Sequence, residues 1–447
     1  LEKEKEEEER NMQRSLVKDL SRKKEQQVLL KGWVHELRLL GKVAFLLLRD
    51  FTGIVQLVIK QDSRAWKKLS DVSIESVVEI KGKVKEAKVT APEVTHKDRE
   101  IEVTELHLLS KAADLPILVR EKGIRTGLAK RLDYRCIDLR KPKNQAIFKV
   151  QACLIESMQN WLNKHGFLQV FTPCLIGMPS ESGAECFEVN YYDKKAYLRQ
   201  DPQLHRQLCI IAGLERIYDL GPNWRAELSH TTKHLTEHRA LAVEIAFIED
   251  EKEIIKIEQD LIKEAIKQLK KKCKAEIEML NPELLKLHVD DFPVLEFPEI
   301  YDLLAKEGKE LSQNEDLDAE AEHLLAEWVW KKYKAKFFFI NKFPFSIKPF
   351  YVYHDSEFAR STDLYFGELE LSSGGQREHR YDVLMQNIKE KGLNEKLLEW
   401  FTRFFKYGAP PHGGFAIGIE RFVKALLNLN NIREACLFPR DPERLLP

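Results

Sequence analysis

The residues best equipped for chemistry in this chain fall in three stretches, and in each an arginine stands beside glycine or carboxylate. In ARSTDLYFGELELSSGGQREHR, residues 359–380, a two-residue turn at Gly367 and Glu368 predicts a hairpin pairing Tyr365 with Glu370 and Asp363 with Ser372. Asp363 and Glu370 then share a face as diagonal neighbours roughly 7 Å apart. Two such carboxylates suit Mg2+, a hard cation that binds through one or two carboxylates plus substrate phosphates, and Arg377 follows as a partner for an anion. Acids on a solvated hairpin are the plain alternative.

In RIYDLGPNWRAELSHTTKHLTEHRALAVEIAFIED, residues 216–250, two apolar strands flank a long polar loop. Arg225 and Glu227, two apart, are expected on one face of the first strand. The loop carries His230, Lys233, His234, His238 and Arg239, a basic cluster that would draw a polyphosphate or a nucleic-acid backbone. The third stretch, HGGFAIGIERF at 412–422, is neither a Walker loop nor a G-x-G-x-x-G fingerprint. Its glycines admit close backbone approach, and Arg421 would open a helix marked by Phe422, Val423, Leu426 and Leu427. An arginine facing an anion and an arginine in solvent both fit that pattern.

These residues need elements to hold them. The chain has 447 residues with 43% apolar content, enough for two or three domains with real cores. Lys plus Arg equals Asp plus Glu at 72 each, so any basic surface is local rather than global. No apolar run approaches membrane-spanning length and the charged N-terminus is unlike a targeting signal, so a cytoplasmic protein is expected. Seven cysteines without a C-x-x-C pair argue against a disulfide framework or a zinc site.

Residues 1–27 read as a charged extension, solvated or partly disordered. Residues 28–110 carry short β-rich runs separated by turn signals, a small barrel of the OB type. Within it Trp33, His35, Arg38, Phe45 and Gln56 combine the aromatic, basic and amide groups that stack and read unpaired bases, although core aromatics and ordinary surface polars fit them too. Residues 111–140 read as a basic hinge, and 141–447 as a second domain with an irregular order of strands and helices and a small insertion around 255–335. That order favours a mixed or antiparallel sheet, and the whole is an α+β protein.

Together these motifs resemble the class II aminoacyl-tRNA synthetases, in the aspartyl and asparaginyl subgroup and nearest its short archaeal type. GFLQVFTPCLI around Pro173 looks like motif 1, the homodimer element; GPNWRAE with KHLTEH looks like motif 2; GGFAIGIERF looks like motif 3. The resemblance implies an OB-fold anticodon-binding domain and an antiparallel catalytic sheet flanked by helices. It implies ATP and Mg2+, an aminoacyl-adenylate, and transfer to a tRNA for asparagine or aspartate. Arg225 would hold the α-phosphate and Arg421 the γ-phosphate, Glu227 would read adenine, and His234 would reach the phosphates. Asp363 and Glu370 match the Mg2+ carboxylates. Glu181, Gln203, Ser373 and Arg377 match amino-acid ligands, with Arg377 on the side chain, and His35, Arg38, Phe45 and Gln56 match the anticodon surface.

Three positions depart from the aspartyl pattern. Arg206 stands for the lysine that reads the substrate carboxylate, Ala242 for the aspartate that steadies that lysine, and His238 for the adenine-stacking phenylalanine. Arginine does not reproduce a lysine's point charge, so asparagine is favoured over aspartate, with Arg206 expected to turn away from the pocket toward an acidic neighbour. A non-catalytic RNA-binding paralogue should have lost the phosphate arginines or metal carboxylates. An ammonia-using asparagine synthetase of this fold would lack the barrel, and a lysyl enzyme would need acids where Arg206 and Arg377 stand.

Overall fold

The computed structural model describes residues 12–120, 125–178, 186–228, 230–290, 292–312 and 315–446. Its contacts divide the chain into two compact units, Leu1–Gly127 and Leu128–Pro447.

The first unit is a closed five-stranded barrel. Strands β1 (Gln27–Leu40), β2 (Val43–Asp50), β3 (Gly53–Lys60), β4 (Val77–Glu86) and β5 (Arg99–Ser110) are joined in the order β1-β2-β3-β5-β4. β4 pairs back onto β1, which leaves no open edge. Every second residue points inward, as a period of two requires: Val28, Leu30 and Val34 from β1, Ala44, Leu46 and Leu48 from β2, Val55, Leu57 and Ile59 from β3. Part of the N-terminal extension belongs to this unit. A 3-10 turn at Val17–Arg22 puts Val17 and Leu20, both fully buried, into the barrel core, and the Val17 amide donates to Asp50 Oδ2 at 2.9 Å. Two apolar residues four positions or fewer apart anchor the segment despite its charged flanks; residues 1–11 lie outside the described residues.

The second unit is built on an eight-stranded sheet. In chain order its strands are β6 (Leu168–Val170), β7 (Arg216–Trp224), β8 (Glu237–Ala246), β9 (Val294–Glu296), β10 (Phe337–Asn341), β11 (Ser361–Phe366), β12 (Leu369–Arg377) and β13 (His412–Gly418). They lie in the order β9-β10-β11-β12-β13-β8-β7-β6. The six central strands pair antiparallel, and only the outermost pairs are parallel.

One face of the sheet carries Leu241, Val243 and Ile245 of β8 and Phe415 and Ile417 of β13 into the main core. Against it pack helices α1 (Pro142–Lys164), α3 (Glu251–Lys272) and α4 (Ile419–Leu427); α2 (Gln203–Ile211) lies on the other face, against β7 and β8. The stretch from about 255, expected as part of an insertion, is therefore a central support. α3 buries Ile254, Leu261, Ile262, Ala265, Ile266 and Leu269, a helical stripe hidden in the sequence by its many lysines and glutamates. Its ends follow helix electrostatics, with Asp250 capping the Lys252 amide at 2.9 Å and three lysines in the last turn.

The hairpin of β11 and β12 differs from its expected register. Phe366 pairs with Leu369 and Tyr365 with Glu370 around Gly367, but a bulge then admits Leu371 as an extra residue, so that Asp363 pairs with Ser373 rather than Ser372. The consequence is positional: Glu370, Ser373 and Arg377 all reach the same side of the sheet as Asp363. Ser372 turns to the other side, where its hydroxyl donates to Glu258 of α3, whose carboxyl burial pushes up to about 8.

Candidate active site

On the face opposite the core, the sheet presents small residues in register. A row runs Asp219, Ala242, Ala416, Ser373, Asp363 across five strands. Small side chains there leave a cavity of about 550 Å3 above the sheet. Arg225, Glu227, His234, His238, Asp363, Glu370, Ser373, Arg377, Gln203 and Arg421 all line it, although their chain positions span more than two hundred residues.

At one end lie the groups suited to phosphate. Arg421, in the first turn of α4, donates from Nη1 to the Glu370 carbonyl at 3.1 Å, and the same nitrogen lies 3.6 Å from Glu370 Oε1. Arg225 and Glu227 meet at 3.3 Å, but in the loop after β7 rather than on the strand. The strand ends at Trp224 because the alternating apolar pattern stops there and Leu228 is fully in solvent. The loop is tied down from below. Leu235 packs on Ile432 and Cys436, and Arg433 donates to the Thr231 carbonyl at 3.1 Å. His234 bonds Thr231 through Nδ1 at 2.6 Å. His238 pairs with Asn223 across the β7–β8 ladder, and burial, then Arg225 and Arg421, lower its imidazole to about 4, so the ring is neutral near pH 7.

The carboxylates sit beside these cations. Asp363 accepts from Lys348 Nζ at 2.7 Å through Oδ2, while its buried Oδ1 accepts no hydrogen bond among the described residues. Burial pushes the Glu370 carboxyl up, against the pull of Arg421. A buried, unsatisfied carboxylate oxygen beside a second carboxylate is the donor set a hard divalent cation takes, so the residues present fit Mg2+.

At the other end an ionic network closes on itself. Arg377 donates Nε to Glu244 Oε1 at 2.9 Å and Nη2 to Gln203 Oε1 and the Gly414 carbonyl at 3.1 and 3.0 Å. Gln203 returns a bond to Glu244 Oε2 at 3.0 Å. Arg206 does turn to an acidic neighbour: both terminal nitrogens hold Asp201, at 2.9 and 2.7 Å, and Nη2 also reaches Gln203 Oε1 at 2.7 Å. That neighbour stands five residues earlier in its own segment, not across the sheet at the space left by Ala242. Burial would raise the Asp201 carboxyl, yet Arg206, Arg377 and Arg225 outweigh it and hold it below the ordinary value.

Glu244, Asp201 and Lys348 were not among the residues expected in the site. Glu244 was legible as a lone carboxylate on the apolar strand ALAVEIAF, which a buried position tolerates only with cationic or amide partners. Glu181 lies outside the described residues.

In the barrel unit Arg38 pairs with Phe45 and Leu47 with Gln56 in the β1–β2–β3 ladder, so Phe45 and Gln56 are diagonal neighbours on the outer face. Arg38 bridges Glu36 at 2.8 Å and Gln56 donates to Glu100 at 2.8 Å. His35 departs from its expected place on that face. It is the extra residue at a bulge in β1 and is only 4% exposed, covered beside Arg49 and Glu75, with Nδ1 accepting from Arg49 at 2.8 Å, so it is not available to an unpaired base.

The family described as tRNA synthetases class II (D, K and N) matches residues 128–442, and that described as OB-fold nucleic acid binding domain matches 28–109. The chain is 36% identical over 424 residues to the Aspartate--tRNA(Asp/Asn) ligase of Aeropyrum pernix, covering 93% of this chain and 94% of that one. It is 38% identical over 432 residues to the Aspartate--tRNA(Asp) ligase of Thermococcus kodakarensis, covering 94% and 96%. Among solved structures, asparaginyl-tRNA synthetase from Pyrococcus horikoshii complexed with asparaginyl-adenylate superposes with a TM-score of 0.90 at 34% identity, covering 97% of this chain and 100% of that one. With the barrel, the sheet and the cavity arranged as described, the chain belongs to the class II aminoacyl-tRNA synthetases of the aspartate, lysine and asparagine group, and is an aminoacyl-tRNA ligase.

Proposed function

We propose that this ligase activates asparagine with ATP and transfers it to the cognate tRNA. The observation that carries the choice is the pairing of Arg206 with Asp201. It leaves Arg377 as the arginine of this network that lines the cavity, itself balanced by Glu244. A charge-balanced pocket suits a neutral amide, whereas a substrate carboxylate would bring in an uncompensated charge.

The substrate α-carboxylate attacks the α-phosphate, forming the adenylate and expelling pyrophosphate. Arg225 takes the charge that develops on the α-phosphate, Arg421 holds the γ-phosphate, and Glu227 reads the adenine edge. Neutral His238 gives the base a flat ring without adding charge. Because Glu370 and the loop anchored by Leu235 fix these groups before the nucleotide arrives, little reorganisation is left for the reaction itself. Asp363 and Glu370 would hold Mg2+, which when bound supplies further neutralisation of the phosphate oxygens. Gln203 orients the α-amino group. Phe45, Arg38 and Gln56 would meet the central anticodon base. Phe171, 82% exposed beside Pro173 with Leu168 and Leu175, supports motif 1 as a homodimer contact.

Aspartate is the second reading, supported by the names of the aspartate ligase relatives. ATP–pyrophosphate exchange with each of the twenty amino acids tests the proposal. Exchange driven by asparagine is the expected result, and exchange driven by aspartate alone would overturn it.

A further inference from the structure

The network at the amino-acid end of the cavity is almost sealed. The side chains of Glu244, Arg206 and Arg377 are 0%, 1% and 6% exposed, whereas that of Asp201 is 22% exposed and lines the cavity. Of the two carboxylates in the network, then, Asp201 is the one a ligand can touch. Each of its oxygens accepts a bond from Arg206, which fixes the carboxylate plane. In the same network Arg377, which shares Gln203 Oε1 with Arg206, lines the cavity and presents a cation, and on β8 the position opposite Asp219 is Ala242, whose methyl side chain has no polar atom to offer.

We propose that Asp201 is the specificity-determining residue of the amino-acid pocket, accepting a hydrogen bond from the side-chain amide NH2 of asparagine while Arg377 donates to its carbonyl oxygen. This rests on the asparagine reading above and names the acceptor that reading requires. The amide has one donor end and one acceptor end, and the pocket offers one acceptor and one donor. Aspartate has two acceptor oxygens, so one of its oxygens would face the Asp201 carboxylate across a partly desolvated gap, where like charges repel strongly. Arg206 acts through Asp201 as a positioning residue. It locks the carboxylate by a bidentate fork that lysine could not make.

The test is the ratio of kcat/KM for asparagine and aspartate in pyrophosphate exchange, measured for the full-length wild type and for Asp201→Ser and Asp201→Asn. Asp201→Ser removes the charged acceptor, leaving only a short neutral hydroxyl, and exposes Arg206 to the ligand. The asparagine preference should fall about 10- to 100-fold, the range expected for one hydrogen bond to a charged group, with aspartate activation rising in absolute terms. Asp201→Asn keeps the shape but removes the charge and replaces one acceptor oxygen with an NH2 donor, so it guards against misfolding and should relax the preference in the same direction. The KM for ATP and the melting temperature serve as controls. If both amino acids lose activity alike, Asp201 serves the α-amino group common to them and the assignment fails; an unchanged ratio overturns it equally. A wild type that activates aspartate and ignores asparagine overturns the asparagine reading and this assignment together, whereas the first two results on an asparagine-specific enzyme overturn the assignment alone.

Discussion

At the scale of single residues, the site is a set of cations each held by an acid before any ligand binds. Arg421 leans on Glu370 and Arg377 on Glu244. Such groups are preorganised, and a charged donor aimed at developing charge is worth about 3 kcal/mol or more in the transition state. Arg421→Ala and Arg225→Ala should therefore each lower pyrophosphate exchange by at least about 100-fold, with circular dichroism and melting unchanged; near-normal exchange in either variant would remove that residue from the site. In the asparagine reading proposed above, substrate choice depends on the pairing of Arg206 with Asp201. Arg206→Lys combined with Ala242→Asp replaces the fork to Asp201 with a lysine steadied across the sheet, and aspartate activation should rise relative to asparagine in the same assay. That these arginines and carboxylates line one cavity agrees with the grouping drawn from their types, spacing and family resemblance, although each stretch alone also fitted a solvated surface. What could not be read was pairing: nothing in RQDPQLHRQ says that Asp201 rather than a strand residue would capture Arg206, since that depends on the turn into α2.

At the scale of elements, the decisive features are ones that alternate or interrupt a strand. The apolar character of β8 was visible, but its division into a core face, with Leu241, Val243 and Ile245, and a cavity face, with Ala240, Ala242 and Glu244, was not read from the sequence. The bulge at Leu371 was not visible, because a single inserted residue leaves the apolar pattern LELSS equally compatible with two registers. The burial of His35 beside Arg49 likewise falls at a bulge. Close approach of strands is where glycine matters most. A Cβ at Gly414 would lie 2.0 Å from the Val243 carbonyl oxygen and 2.6 Å from Glu244 Oε2, so β13 could not stay in register beneath the Arg377 network. Gly414→Ala should cost about 1–3 kcal/mol of stability by overpacking, read from the urea midpoint. It should also raise the KM for the amino acid more than that for ATP, since Gly414 lies directly against Glu244, the carboxylate that holds Arg377.

At the scale of the whole molecule, two units with separate cores carry separable duties. The catalytic unit has an acid limit set by burial. His412, fully buried against Gln207 and the Pro410 carbonyl, has its imidazole lowered from 6.5 to about 4, so folding expels a proton between those values. Its contribution to stability is complete above pH 6.5 and is lost as pH falls toward 4. The urea midpoint should drop between pH 7 and pH 5, and His412→Gln should flatten that slope; an identical slope would assign the effect to other groups. The barrel has a different part. Phe45 is half-buried on its outer face, directly opposite Arg38 and diagonal to Gln56, a ring with a donor on either side. In the proposed function that arrangement would stack one base and read its edge, a duty separate from the chemistry of the other unit. Phe45→Ala should weaken tRNA charging by about 1–3 kcal/mol, the usual worth of one stacked base, while pyrophosphate exchange without tRNA stays at the wild-type rate. Parallel loss of both activities would instead mean that Phe45 supports the fold of the barrel, and the base-stacking role would fall.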